Sequence, residues 1–278
     1  MRVTIPGPSF SRRHLVVRFA LVGLLATTGT VAASEDRRGS ANDATPSTQV
    51  GAGRLILVAG ATGRTGKRVV EELLSKGYRV RGLARNVAQA KAQLPAVNWV
   101  AADLKNPGSL GAVAEGVHAI IFAVGANTSR DPSNIPEKVE YGGIVALVDR
   151  GKAAGVRNFV MMSSGGVGRA DSTATAGFGG LLRWKQDAER YLRQSGLAYT
   201  IVRPGSLRDE EGGTYGIVVT QGDPEYVNLP TIARGDVAKV LVHCLFNAEA
   251  NGKTFEIINA PTHAPDDWKP TLAKLKAD

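Results

Sequence analysis

Three glycines, Gly60, Gly63 and Gly66, carry the clearest chemical signal, because they follow an apolar run and open a segment of helical period. In this arrangement the first permits a tight turn, the second lets the backbone approach a pyrophosphate, and the third lets helix pack closely on strand. The N–H groups and dipole of the helix N-terminus favour an anion. The alternative is a glycine-rich turn without a ligand. We predict that a dinucleotide binds through the whole loop: Gly60, Ala61, Thr62, Gly63, Arg64, Thr65 and Gly66.

The end of the second predicted strand selects between cofactors. In NAD-binding proteins a carboxylate at this place hydrogen-bonds the ribose 2′-hydroxyl. The stretch from Arg81 to Asn86 contains no Asp or Glu. Arg85, together with Arg64 of the loop, can instead pair a 2′-phosphate, which suits the planar fork of a guanidinium. The sequence therefore favours NADP(H) over NAD(H); the alternative for either arginine is a solvated surface charge.

The elements that must position these residues alternate after residue 53, where short β-branched runs are followed by segments of helical period. The predicted strands are Leu55–Ala59, Tyr78–Leu83, Val97–Ala101, Ala119–Ala123, Asn158–Met162, Thr200–Arg203 and Thr254–Ile258. The predicted helices are Lys67–Lys76, Ala88–Gln93, Gly108–Ala114, Lys138–Ala154, Leu181–Ser195 and Gly235–Asn247. We expect a single α/β domain over residues 54–260, a Rossmann-type, doubly wound parallel sheet of about seven strands. Residues 261–278 are expected to form a surface appendage.

A series of motifs along the chain resembles the atypical short-chain dehydrogenase/reductases. The series comprises the glycine loop, Ala102-Asp103-Leu104, Phe122–Gly125, Val139–Ser164, Tyr191–Gly205 and Arg234–Ala238. Within that family the chain is most similar to the NAD(P)H-binding, NmrA-like and flavin- or biliverdin-reductase-like groups. The resemblance spans about residues 55–260, which is nearly the whole predicted domain.

The resemblance implies further cofactor contacts. Asp103 and Leu104 would contact the adenine side, although Asp103 has an alternative role as a cap in the loop that follows. Two more groups would line the cofactor at the fourth strand and near the nicotinamide: Ala123, Val124 and Gly125, and Pro204, Gly205 and Ser206.

The catalytic centre implied by the family is incomplete. Catalytic short-chain enzymes use a Tyr four residues before a Lys as proton donor, with a Ser that orients the substrate. Here Lys185 is preceded by Leu181, and no Tyr of the sequence has a Lys four residues later. Lys185 would bind the ribose hydroxyls of the cofactor or be a solvated helix lysine. Ser163 and Ser164 would orient a carbonyl or hold the end of a strand.

Without the catalytic Tyr, three functions are considered. The first is an NADPH-dependent reductase of a small flavin-, quinone- or carbonyl-type acceptor, since a reduced flavin or quinone can take its proton from water. The second is a non-catalytic NADP(H) sensor or scaffold. A nucleotide-sugar epimerase is disfavoured because those relatives need the Tyr. The histidines lack the spacing of a metal site, so no metal is expected.

The first 33 residues have the composition of a targeting segment. They contain no acidic residue, and the apolar run Phe19–Ala33 ends in the cleavage-like tripeptide Val31-Ala32-Ala33. Ser11–Val16 resembles a twin-arginine signal, so we expect cleavage and export to the periplasm. The alternatives are an organelle transit peptide, as for a plastid, and an uncleaved anchor. Residues 34–53 are polar and read as a flexible linker.

The net charge of +9 does not indicate a nucleic-acid partner. Four of the positive charges lie in the first 33 residues, and the remaining +5 is spread without a basic run. We expect a small-molecule acceptor as partner, no stable membrane span in the mature form, and a monomer or small homo-oligomer.

Overall fold

An eight-stranded sheet organises the computed structural model, which describes residues 51, 53–129, 131–171, 180–224, 230–264 and 266–278. The ten strands within these residues are β1 Leu55–Ala59, β2 Arg79–Ala84, β3 Asn98–Ala101, β4 Ala119–Phe122, β5 Asn158–Met162, β6 Tyr199–Pro204, β7 Ser206–Arg208, β8 Gly216–Thr220, β9 Thr231–Ala233 and β10 Lys253–Ala260. The α-helices are α1 Arg64–Ser75, α2 Val87–Gln93, α3 Gly143–Ala153, α4 Leu181–Gln194 and α5 Arg234–His243. The predicted targeting segment, residues 1–33, and all but the last residues of the predicted linker lie outside the described residues.

The strand order is β3-β2-β1-β4-β5-β6-β10-β8, and every neighbouring pair is parallel except β10 with β8. The order reverses between β1 and β4, which both pair with their neighbours in parallel register. In such sheets ligands bind at the carboxyl ends of the strands beside this reversal. The predicted Rossmann-type α/β fold is confirmed, with all seven predicted strands in the sheet.

The eighth strand, β8, was not predicted from the sequence. It pairs antiparallel with β10 at the edge of the sheet, so it falls outside the strand–helix alternation that guided the prediction. The short strands β7 and β9 form a separate parallel pair, which brings Ser206 opposite Thr231. This pair lies directly after β6, where the candidate site begins.

The core lies on both faces of the sheet. Ile56 and Val58 belong to the cluster under α1 and α5, whereas Leu57 and Ala59 belong to the cluster under α3. All five residues of β1 are buried because a parallel sheet is covered on both faces. Such strands read as continuous apolar runs, which made β1 and β4 easy to predict.

Two predicted helices differ in the structure. The predicted helix Gly108–Ala114 is a short 3-10 turn, Pro107–Leu110, in a segment whose glycines disfavour a helix. The predicted helix Lys138–Ala154 begins as a π-helical turn, Glu137–Gly142, and continues as α3. Turns of the π type often occur at functional sites.

The expectation of a surface appendage over residues 261–278 is wrong. Trp268 and Leu272 are buried at 3% and 0% exposure and belong to the cluster under α1 and α5. Lys253 Nζ donates to the carbonyl of Leu272 at 2.8 Å. The segment covers apolar surface that the helices leave open.

Within the described part of the chain, the helices are too short or too polar to cross a membrane.

Candidate functional site

The glycine loop has the geometry that an anion site requires. Gly60 has a φ of +83°, and the Gly63 N–H donates to the Gly60 carbonyl at 2.8 Å. A Cβ on Gly66 would lie 1.9 Å from that carbonyl oxygen, so only glycine lets α1 start this close to β1. No side chain of the described residues caps α1. The N–H groups of its first turn are therefore free to bind an anion.

The loop after β4 lies against the glycine loop. The Ala123 N–H donates to the Ala59 carbonyl at 3.0 Å. A Cβ on Gly60 would lie 2.6 Å from the Ala123 carbonyl and 3.1 Å from a methyl group of Val124. The residues predicted to line the cofactor from this strand, Ala123, Val124 and Gly125, thus adjoin the predicted phosphate loop.

Arg85 follows β2 and belongs to a polar cluster at that end of the sheet. Its Nη1 lies 2.8 Å from Asp131 Oδ2, which also accepts from Lys105 Nζ at 3.1 Å. Hydrogen bonds from Ser133, then Lys105 and Arg85, hold the pKa of Asp131 far below its ordinary range. Arg85 is half exposed, so its guanidinium can also reach a ligand. Lys105 is a second cation at this place, and it was not predicted from the sequence.

Asp103 and Leu104 lie beside this cluster. The Asp103 carboxylate accepts the N–H of Lys105 at 3.0 Å, and the Asp103 N–H donates to Ser109 Oγ at 2.9 Å. Asp103 therefore does cap the following loop, which is the alternative role considered above. Leu104 is half-buried and packs on the core under α3.

A second cluster joins the glycine loop to the loop after β7. Asp209 accepts from Arg64 Nη1 at 2.5 Å and from Arg234 Nε at 2.6 Å. Arg234 Nη1 also donates to Thr65 Oγ1 at 3.0 Å. The hydrogen bond from Arg234, followed by that from Arg64, lowers the pKa of Asp209. Asp209 is half exposed.

A cavity of about 450 Å³ opens at the carboxyl ends of β5, β6 and β10. Arg234 lines it and links it to Thr65 of the glycine loop. Five residues singled out from the sequence line it: Ser163, Ser164, Pro204, Gly205 and Ser206. Its apolar lining comes from Leu182, Leu207, Pro230 and Ile258. Asp223, also in the lining, accepts the N–H groups of Gly166 and Gly168 at 2.6 Å each.

A buried ionic network forms one wall of the cavity. The Ser163 hydroxyl donates to Glu189 Oε1 at 2.6 Å, and Arg203 donates to both oxygens of Glu189 at 2.9 and 2.6 Å. Arg203 Nη1 donates to Glu256 Oε1 at 3.1 Å. Ser163 is thus engaged by a carboxylate, while the Ser164 hydroxyl donates to the Gly165 carbonyl at 3.1 Å.

Lys185 of α4 forms a separate buried ion pair with Glu140 of the π-helical turn. Its Nζ donates to Glu140 Oε2 at 2.8 Å, and Glu140 Oε1 accepts the Ala126 N–H at 2.7 Å. Lys185 is 5% exposed, so the alternative of a solvated helix lysine is excluded. Glu140 therefore connects Lys185 to the loop that follows β4.

Four buried charged residues of these contacts were not predicted from the sequence: Glu140, Glu189, Arg203 and Glu256. A usable signal existed for the last two, because Arg203 follows the apolar pair Ile201-Val202 and Glu256 lies between Phe255 and Ile257, all within predicted strands. A buried charge is expensive unless it is paired, so such a residue predicts a partner nearby. Among the described residues, no cluster of three His, Cys, Asp or Glu side chains could hold a metal ion.

The chain was compared with protein families and with individual relatives. A family model described as NAD(P)H-binding matches residues 60–248. An uncharacterised chloroplastic protein of Arabidopsis thaliana is 36% identical over 234 residues, which cover 80% of this chain and 82% of that protein. The sanguinarine reductase of Eschscholzia californica is 29% identical over 263 residues, with 79% of this chain and 95% of that enzyme covered.

Two solved structures share the fold along most of their length. A Bacillus halodurans protein described as an NAD-dependent epimerase/dehydratase has a TM-score of 0.67 and 28% identity, with 80% of this chain and 98% of that one covered. An anaerobilin reductase of Escherichia coli O157:H7 has a TM-score of 0.62 and 26% identity, with 76% of this chain and 99% of that one covered.

Proposed function

The chain belongs to the NAD(P)H-binding family of the atypical short-chain dehydrogenase/reductases, and we propose that it is an NADPH-dependent reductase of a small conjugated acceptor. The observation that carries this proposal is the cavity beside the glycine loop, which Arg234 joins to Thr65. When bound, the dinucleotide supplies a hydride. The chain would hold it by the first turn of α1 and would hold the acceptor in the cavity.

The lining of the cavity supports a flat, largely apolar acceptor with polar edges. Leu182, Leu207 and Ile258 offer apolar contact, while Ser164 offers a hydroxyl. Flavins, quinones and conjugated carbonyl compounds have this character. The names of two relatives, a sanguinarine reductase and an anaerobilin reductase, support reduction as the reaction class.

The test is oxidation of NADPH by the purified protein in the presence of flavins, quinones, aldehydes and linear tetrapyrroles. We expect turnover with at least one class, and competition between acceptors that share the cavity. A matched variant, Ile258→Trp, would fill the cavity without touching the glycine loop and should abolish turnover while dinucleotide binding persists. If no acceptor of this panel is reduced at high enzyme concentration, the reductase proposal is wrong.

We further propose that NADP(H) is preferred over NAD(H). Arg85 and Lys105 lie together beyond the end of β2, which ends without a carboxylate, whereas Arg64 of the glycine loop pairs with Asp209 in the other polar cluster. A guanidinium binds a 2′-phosphate in a planar fork.

A non-catalytic NADP(H) sensor or scaffold is the second candidate. It is favoured by the absence of the Tyr before Lys185 and by the engagement of Ser163 and Lys185 with Glu189 and Glu140. This candidate predicts dinucleotide binding with a change in protease sensitivity and no turnover. The description of the Bacillus halodurans structure as an epimerase/dehydratase raises a third candidate, which Leu181 disfavours because that position cannot exchange a proton.

The destination of the protein is also a proposal. We propose that residues 1–33 are removed after targeting, and the chloroplastic Arabidopsis relative favours a plastid over the periplasm. Mass spectrometry of the mature N-terminus from cell fractions tests both parts. Recovery of intact Met1 in the final compartment would contradict cleavage.

A further inference from the structure

We propose that Glu256 donates the proton to an acceptor reduced in the cavity, a role that rests on the proposed reductase function. In the related catalytic enzymes a tyrosine has this task, and Leu181 occupies its position here. Glu256 lines the cavity from β10 and lies on the same face of the sheet as Arg203 of β6.

Glu189 and Glu256 both bond to the buried guanidinium of Arg203, but Glu189 accepts more hydrogen bonds than Glu256 does. Glu189 accepts from Ser163, twice from Arg203, and from Arg193 at 2.9 Å, so both of its oxygens are engaged. Glu256 Oε1 accepts from Arg203 at 3.1 Å, and the Asp223 main-chain N–H also approaches the carboxyl group, but the buried Oε2 has no well-formed hydrogen bond among the described residues. An unpaired buried oxygen is costly as an anion and much less so as a hydroxyl. Glu256 is therefore the member of the pair that can hold a proton.

Position separates the two carboxyl groups as well. Glu256 lines the cavity together with Pro204 and Ile258, whereas Glu189 lies behind Arg203 on α4. β10 pairs Glu256 directly with Arg203 of β6. A proton leaving Glu256 would thus leave a carboxylate already in contact with a guanidinium, which stabilises the product of the transfer.

The charges around Glu256 agree with this role. Burial is the largest effect and raises the pKa of Glu256. The hydrogen bond and charge of Arg203 and the backbone N–H of Asp223 lower this pKa, whereas the charge of Asp223 raises it, and the net direction is upward. Arg169 and Arg234 line the same cavity, but Arg234 is engaged by Asp209 and Arg169 by the Pro224 carbonyl. A carboxyl group whose pKa is raised by burial is suited to act as a general acid.

A bound nicotinamide dinucleotide would supply the hydride that forms the new C–H bond at the electrophilic carbon of a C=O or C=N group. The electron pair of that double bond would move to the heteroatom. The heteroatom takes the proton of Glu256 as the carboxyl O–H bond breaks. The resulting carboxylate stays beside Arg203 and regains a proton from water. Acceptors whose reduced atoms draw protons from water would depend less on Glu256.

The first test needs no turnover. Infrared difference spectra of the protein alone, recorded between pH 5 and 9, should show the C=O band of a protonated carboxyl that is absent from Glu256→Gln and retained in Glu189→Gln. If the band persists in both variants at neutral pH, the proposal is wrong, whatever the activity. The same experiment stands if no acceptor is found, so failure of the reductase proposal is distinguishable from failure of this one.

The second test uses an acceptor with a C=O or C=N group. Glu256→Gln should lower kcat by about 100-fold or more, which is the range of general acid catalysis, and should leave the Kd for NADPH unchanged. The fall in rate at alkaline pH should disappear in Glu256→Gln but remain in Glu189→Gln. Glu256→Asp, which keeps an acid, should recover part of the rate and the alkaline fall. Equal rates and pH profiles for wild type and Glu256→Gln would refute the role.

Discussion

Arg85 is the residue on which the proposed cofactor preference depends most directly. Changing Arg85 to Asp replaces a cation with an anion that would repel a 2′-phosphate but can accept a ribose 2′-hydroxyl. One hydrogen bond to a charged group is worth about 1.5 to 3 kcal/mol. We therefore expect the Kd for NADPH to rise roughly tenfold to a hundredfold while that for NADH changes little or falls. Titration calorimetry with both dinucleotides measures this.

The control for Arg85→Asp lies on the same strand. Arg79 is the exposed first residue of β2, at the opposite end of the strand from Arg85. Arg79→Asp therefore changes the net charge by the same amount. It should affect both dinucleotides alike. Equal loss of NADPH affinity in the two variants would mean that overall charge, not a specific contact, sets the preference.

Lys185 and Glu140 supply a prediction about stability. Both are nearly inaccessible to solvent, so Lys185→Met leaves a buried carboxylate with only the Ala126 N–H as partner. Breaking a buried pair in this way costs about 3 to 5 kcal/mol of unfolding free energy. The double variant Lys185→Met, Glu140→Gln removes both charges and should recover much of the loss in urea denaturation. A double variant as unstable as Lys185→Met alone would contradict this explanation.

The sequence predicted the residues of the glycine loop better than it predicted their polar neighbours. A glycine's role follows from its spacing within one turn, which is local information. Glu140 and Lys185 are 45 residues apart, and Ser163 and Glu189 are 26 apart, so only the fold brings them together. Lys185 was identified from its family position, but its buried partner could not be.

At the scale of elements, the junction of β1 and α1 depends on the absence of a side chain at Gly66. In Gly66→Ala the new Cβ would meet the Gly60 carbonyl at 1.9 Å, and backbone must move. Displacement of the first turn should cost at least one hydrogen bond to the pyrophosphate, which weakens dinucleotide binding by about tenfold or more. Intrinsic fluorescence quenching by NADPH would report the affinity.

Gly142→Ala is the matched control for Gly66→Ala. Its Cβ would meet the Glu137 carbonyl at 3.5 Å, an ordinary contact, so the dinucleotide affinity should not change. If Gly66→Ala also binds NADPH normally, the close approach of α1 to β1 is not required for binding.

The elements that the sequence failed to predict share a physical cause. The strand β8 has only one neighbour in the sheet and reverses direction, so it breaks the alternation that makes parallel strands recognisable. The π-helical turn before α3 has a helical sequence, and its Glu140 contacts Lys185 of α4 and the Ala126 N–H in the loop after β4. Periodicity predicts that an element exists, whereas its exact winding or partner depends on packing.

At the scale of the described domain, the contact between α5 and the segment of residues 261–278 makes the free energy of unfolding depend on pH. His243 at the end of α5 meets Trp268 edge to face, with ring centroids 5.0 Å apart. Burial, followed by the charges of Lys269 and Lys76, lowers the pKa of His243, while Glu249 and Asp266 act in the opposite direction. The folded protein therefore resists protonation of His243 more than the unfolded chain does.

The sign of the pH effect follows from this difference. Above its ordinary pKa of about 6.5, His243 is neutral in both states and has no effect. As the pH falls through that value the unfolded chain takes up a proton first, so the free energy of unfolding falls. We expect urea midpoints to drop between pH 7.5 and 5.5 in wild type and to drop less in His243→Gln. His263→Gln, which alters an exposed histidine, should behave as wild type. Parallel pH curves for wild type and His243→Gln would show that acid acts elsewhere in the fold.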